Sequence, residues 1–150
     1  LAVAAHQEPR RRARQRDVDS QKIKGNILVV EDDPMVRKAV VQMLDDLGCQ
    51  TVEAENGEAA MARLAEHPEI NLLFTDIVLP TGISGIDVAN EARQRFPNLR
   101  ILLSSGYPKK GIKENLPEAE DIWFIEKPYR AEELLRALAG ILENKGSARG

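Results

Sequence analysis

The chain has 150 residues, 43% of them hydrophobic and 30% charged, with a net charge of −3, which suits one globular domain with a full core and no second domain of useful size. No apolar run approaches the roughly 18 residues needed to cross a bilayer, which excludes a membrane segment within the chain. Cys49 is the lone cysteine, and His6 and His67 have no ligand-spaced companions, which excludes a disulfide framework and argues against zinc. Cys49 is expected to be a small buried hydrophobe, and a reducing cytoplasm fits best.

Residues 1–24 hold seven Lys and Arg against three acids, a net +4 that leaves −7 on the rest of the chain. They lack an apolar period and read as a disordered or partly helical linker. The opening LAVAAH has neither an initiator Met nor a basic region, so it reads as an internal start, not a signal peptide. The run from Arg10 to Arg16 could touch nucleic acid or anionic lipid. The blander expectation is a solvated tether to an upstream domain, such as that of a membrane sensor. An acidic body has too few clustered cations to grip phosphates, so no nucleic acid and no membrane contact are expected.

From Asn26 the pattern becomes regular. Residues 27–30 are a short, β-branched apolar run of the kind that is covered on both faces of a sheet, and they lead into Glu31, Asp32, Asp33 and Pro34. Asp33 is the expected cap and Pro34 the first turn of a helix carrying Val36, Val40, Met43, Leu44 and Leu47, stopped by Gly48. Residues 50–54 are a weaker strand. Asn56-Gly57 turns into a helix carrying Ala60, Met61, Leu64 and Ala65, ending before Pro68. Residues 72–75 form the third strand with Asp76 at its end, followed by the loop IVLPTGISG and a helix over 86–95. Residues 101–104 are the fourth strand, leading into Ser105-Gly106. The segment 107–121, with its Gly, Pro and four acids, leaves room for only a short, poor helix. Residues 122–125 are the fifth strand, running into Glu126-Lys127-Pro128. A last helix over 131–142 carries Leu134, Leu135, Leu138 and Ile141 inward, and residues 145–150 are a frayed tail.

Short apolar strands alternating with helices predict an α/β fold, a parallel sheet with helices on both faces. In such sheets the site lies beyond the carboxyl ends of the strands. Glu31 and Asp32, Asp76, Ser105 and Lys127 all stand at those ends. Converging carboxylates must be protonated, neutralised or bridged by a cation, and an oxygen-only set suits Mg²⁺ (or Mn²⁺) better than zinc or copper. With the metal bound, Asp76 becomes a nucleophile able to take a phosphoryl group as an acyl phosphate. Lys127 would neutralise the transferring oxygens and the Ser105 hydroxyl would donate to one of them.

LVVEDDP, LLFTDIVLP, LLSSGY and FIEKPY together give a sequence that resembles the receiver domains of response regulators in bacterial two-component signalling, over residues 26–144, and most resembles the receiver of a hybrid sensor histidine kinase. The resemblance implies a flavodoxin-like sheet of order 2-1-3-4-5. It also implies transfer from the phospho-histidine of a kinase or phosphotransfer protein to Asp76. Mg²⁺ would be held by Asp32, Asp76 and the Val78 backbone carbonyl, with Glu31 acting through water. Ser105 would be drawn toward the phosphoryl group and Phe124 would swing in after it. The Lys127-Pro128 bond would be cis, aiming Lys127 into the site. The output partner is not specified. Ser104 competes with Ser105 for the hydroxyl role, but spacing from Lys127 and the small residue that follows favour Ser105.

The loop after Pro80 is one residue longer than the commonest family form, its two glycines permitting unusual backbone angles. The interrupted segment 107–121 departs further, so the family's usual dimer is not expected. Val78, two past Asp76, and Tyr107, two past Ser105, are bulky and hold no water, which predicts slow dephosphorylation. Such a domain promotes its own phosphorylation and dephosphorylation without being a turnover enzyme. An aspartyl-phosphate phosphatase would want a second Asp where Val78 stands. A flavodoxin-like nucleotide or flavin binder would want a glycine loop where the chain has EDDP. A receiver used only for docking would not need the complete residue set.

Overall fold

The computed structural model describes residues 23–79, 84–106 and 122–143. Most of the expected linker, the loop residues 80–83, the segment 107–121 with Tyr107, and the tail lie outside the described residues. Five strands and four helices are described: β1 (Asn26–Val30), α1 (Pro34–Asp46), β2 (Gln50–Ala54), α2 (Gly57–Glu66), β3 (Leu72–Asp76), α3 (Gly85–Arg95), β4 (Arg100–Ser105), β5 (Ile122–Glu126) and α4 (Ala131–Glu143). The strands form one parallel sheet in the order β2-β1-β3-β4-β5. Strand order reverses between β1 and β3, so the crevice of the doubly wound sheet opens at the carboxyl ends of those two strands.

Local chemistry sets the boundaries. Asp33 caps α1, its carboxylate accepting from Met35 N–H at 2.9 Å and Val36 N–H at 3.4 Å, with Pro34 in the first turn. Gly48, at φ 95°, takes the left-handed conformation that lets the chain turn from α1 into β2. Asn56 caps α2 through Ala59 N–H at 2.8 Å, and Ser84 caps α3 through Asp87 N–H at 3.2 Å.

Strand parity divides the core. Val29, Phe74, Leu102 and Ile125 face α1 and α4, where Leu44, Leu134, Leu138 and Ile141 meet them. Leu28, Leu73, Leu103 and Ile122 face α2 and α3, against Leu64, Val88 and Ala92. Leu72, Leu73, Leu102 and Leu103 are all 0% exposed, each contributing about 1.5–3 kcal/mol of burial. Cys49 is buried as expected, and burial pushes its thiol up to about 11. No helix among the described residues is long and apolar enough to cross a membrane.

Three details differ from the sequence reading. Ile23, placed in the linker, is buried and donates its N–H to Leu47 O at 2.9 Å, so packing begins before residue 25. Val36 is 41% exposed, because the first turn of α1 projects past the strand ends. Ala65 is also exposed, one position off the stripe of Ala60, Met61 and Leu64.

Gly85 has a steric reason that the loop's glycines did not suggest. A Cβ there would stand 2.0 Å from Asp76 O and 2.8 Å from Ile77 Cα, so α3 starts in direct contact with the end of β3. Gly85 N–H donates to Ile77 O at 2.9 Å, which requires that approach. Gly140, inside α4, has nothing within 4 Å. Urea unfolding is therefore expected to separate the two glycines. Gly85→Ala should cost about 1–3 kcal/mol or more by overpacking. Gly140→Ala should add about 0.5–1 kcal/mol by helix propensity.

Candidate functional site

The parallel sheet delivers Glu31, Asp76 and Lys127 to one rim and one face. Asp76 is the last residue of β3, on the same side as Phe74, facing α1 and α4. Lys127 follows β5 directly. Its backbone N–H donates to Ser105 O at 2.8 Å, extending the ladder by one step, and the Lys127–Pro128 peptide is cis. Lys127 Nζ then reaches across β4 to form an ion pair with Asp76 Oδ2. The other carboxylate oxygen, Asp76 Oδ1, accepts from Val78 N–H at 3.1 Å. With Asp76 16% and Lys127 38% exposed, the pair sits in a shallow site open to solvent on the lysine side.

Among the described residues Glu31 is the most buried acid, at 9% exposure. Burial pushes its carboxyl above the ordinary 4.5, Asp32 and Asp76 push it further, and Lys127 opposes them. Asp32 beside it is exposed, and Asp33 is committed to capping α1. Among the described residues no three His, Cys, Asp or Glu side chains are grouped to hold a metal by themselves. The donor chemistry still fits Mg²⁺, which takes one or two carboxylates and completes its octahedron with water and carbonyl oxygens.

A cavity of about 20 Å³, the size of one water, lies behind Asp76 and is lined in part by Glu31, Ser104, Lys127, Tyr129 and Val36. Tyr129 was not foreseen. Its ring packs on Phe74 with centroids 6.0 Å apart, and burial together with the Asp76 and Glu31 carboxylates pushes its hydroxyl up to about 12. It stays neutral near the two acids, and an aromatic phenol directly after Lys127-Pro128 was the only sequence signal for it.

The two serines part company by strand parity. Ser104 pairs with Asp76 in register and lines the cavity behind it. Ser105 pairs with Glu126 and, two positions beyond Leu103, shares the sheet face of Phe124. Both serines are buried. Phe124 packs against the α2/α3 core and Trp123 against the α1/α4 core, as strand alternation requires. Met35, in the first turn of α1, is 80% exposed, and Val78, whose N–H bonds Asp76, is 54% exposed.

A family model described as the response regulator receiver domain matches residues 27–139. Over 119 residues the chain is 35% identical to a cyclic di-GMP phosphodiesterase of Thermotoga maritima, covering 79% of this chain and 31% of that protein. It is 31% identical over 116 residues to the response regulator receiver protein CpdR of Brucella abortus, covering 77% of this chain and 95% of that one. The solved receiver domain of the hybrid histidine kinase CckA superposes with a TM-score of 0.67 at 28% identity, covering 79% of this chain and 99% of that one.

Glu31 generates a pH prediction. A carboxyl raised by folding stabilises the native state below its unfolded value of 4.5, and that contribution is lost as pH rises through the folded value. Glu31→Gln, unfolded by urea in the presence of a chelator, is therefore expected to be more stable than the parent at pH 7. The gap should close as pH falls below about 4.5. A gap that stays constant over this range would refute burial as the cause.

Proposed function

The chain belongs to the response regulator receiver family, and from that premise we propose that it accepts a phosphoryl group on Asp76 from the phospho-histidine of a kinase or phosphotransfer protein. The observation that carries the proposal is the Asp76–Lys127 ion pair at the strand switch point, with Glu31 and Asp32 beside it. In the transfer an Asp76 oxygen attacks phosphorus, the phosphorus–nitrogen bond to the donor imidazole breaks, and an acyl phosphate forms. Lys127, already on the carboxylate, neutralises charge on the transferring oxygens. Mg²⁺ (or Mn²⁺), when held by Asp32, Asp76 and the Val78 carbonyl with Glu31 acting through water, supplies further charge neutralisation there.

Ser105 is proposed as the hydroxyl that meets the phosphoryl group, and Phe124 as the residue that follows it. Their shared sheet face supports that coupling. Ser104, on the Asp76 face, is the hydroxyl of the cavity behind the acceptor. The domain would work in the cytoplasm, within a longer hybrid histidine kinase, a reading supported by the match to nearly the whole CckA receiver. A receiver attached to an output enzyme is the second reading, favoured by the 35% identity to the Thermotoga phosphodiesterase, of which the chain spans 31%.

Incubation with acetyl phosphate and Mg²⁺ is expected to give one acid-stable, base-labile phosphoryl group, absent from Asp76→Asn. A label that persists in that variant would overturn the acceptor assignment. We also propose a long-lived acyl phosphate, because Val78, two positions past the acceptor and bonded to it through its N–H, is apolar. Val78→Asn, which can hold a water, should speed loss of the label by roughly tenfold, or about 1.4 kcal/mol of barrier. Equal lifetimes in the two proteins would remove Val78 from the account.

A further inference from the structure

Asp32 must stand in a defined place for the proposed metal site to work, yet among the described residues no hydrogen bond holds its exposed side chain. Its backbone neighbours are held instead, and one residue holds both. Arg37 Nη1 donates to Glu31 O at 2.7 Å, while the backbone N–H of Arg37 donates to Asp33 O at 2.8 Å. The carbonyls on either side of Asp32 therefore end on the same residue, one turn into α1. Arg37 is itself anchored, its Nε donating to Glu53 Oε1 at 2.9 Å near the end of β2. Glu31 N–H donates to Ala54 O at 3.1 Å, so the acidic run is tied to β2 twice, once directly and once through the guanidinium.

We propose that Arg37 is a positioning residue, a bracket that fixes the backbone of Glu31–Asp33 and thereby sets the carboxylate geometry offered to Mg²⁺. This rests on the receiver reading above. The action is geometric. Arg37 Nη1 donates to the Glu31 backbone carbonyl and its Nε to Glu53, so neither contact is with a carboxylate offered to the metal. Its own charge is matched by Glu53, and its side chain is only 18% exposed. A planar fork can serve two acceptors on different strands at once, whereas a lysine ammonium serves them as a single point. Partners that orient metal ligands typically change affinity 10- to 100-fold when removed.

The test is Mg²⁺ affinity by titration calorimetry on the whole chain, with urea unfolding in chelator as the control for folding. Arg37→Met and Arg37→Lys should each weaken Mg²⁺ binding by about tenfold. The lysine would not rescue, because charge is not what is lost. Glu53→Ala should weaken binding less, and adding it to Arg37→Met should cost little more, since the two act as one unit. A folded Arg37→Met that binds Mg²⁺ within about twofold of the parent overturns this inference and leaves the receiver reading standing. Should Arg37→Met fail to fold, Arg37→Lys, which keeps the stem and the charge, decides by the same criterion. A parent chain that does not bind Mg²⁺ overturns the proposed metal site and this inference together.

Discussion

The ion pair between Lys127 and Asp76 is the interaction on which the rim depends. A parallel sheet collects every strand's carboxyl end on one edge, and here that edge receives Glu31, Asp32 and Asp76. Their mutual repulsion appears directly in Glu31, raised by burial and then by both neighbours. Lys127 is the charge that opposes them, and it comes from the far side of β4, so acceptor and counter-charge join β3 to β5 across the sheet. The pair is partly exposed, and its contribution to stability is correspondingly modest. Its importance lies in where it places positive charge.

Strand parity then distributes the chemistry. Residues on the face of α1 and α4 surround the acceptor: Ser104 and Tyr129 behind it, Lys127 on it and Glu31 beside it. Residues on the face of α2 and α3 include Ser105 and Phe124. Adjacent serines therefore point to opposite sides of the sheet, one toward a water-sized cavity and one toward the core of the other helical layer. Beneath both, α3 is pressed so close to Asp76 that Gly85 cannot carry a side chain. The acceptor is held from the side by Lys127, from the loop by Val78 N–H and from below by α3.

Much of this was legible in the chain itself. The five apolar runs, the Asp33 cap, the Gly48 stop and the burial of Cys49 all follow from local period and local capping. Val36 was misread because helical spacing identifies a stripe but not its ends, and Ala65 because spacing does not settle how wide the stripe is. Gly85 was credited with conformational freedom when its reason is a clash with a backbone nine residues earlier. Arg37 and Tyr129 were overlooked because their partners, Glu31, Glu53, Asp76 and Phe74, lie on separate elements.

The sequence alone determined the alternation of strands and helices, and which acids, hydroxyls and lysine end those strands, because period and capping are short-range properties. Which of these groups touch was decided only by the tertiary structure. The Lys127–Asp76 pair spans 51 positions, the Arg37–Glu53 pair spans 16, and the choice of face for each serine depends on register. Sheet pairing and the strand-order reversal set those distances, and both are properties of the whole folded chain.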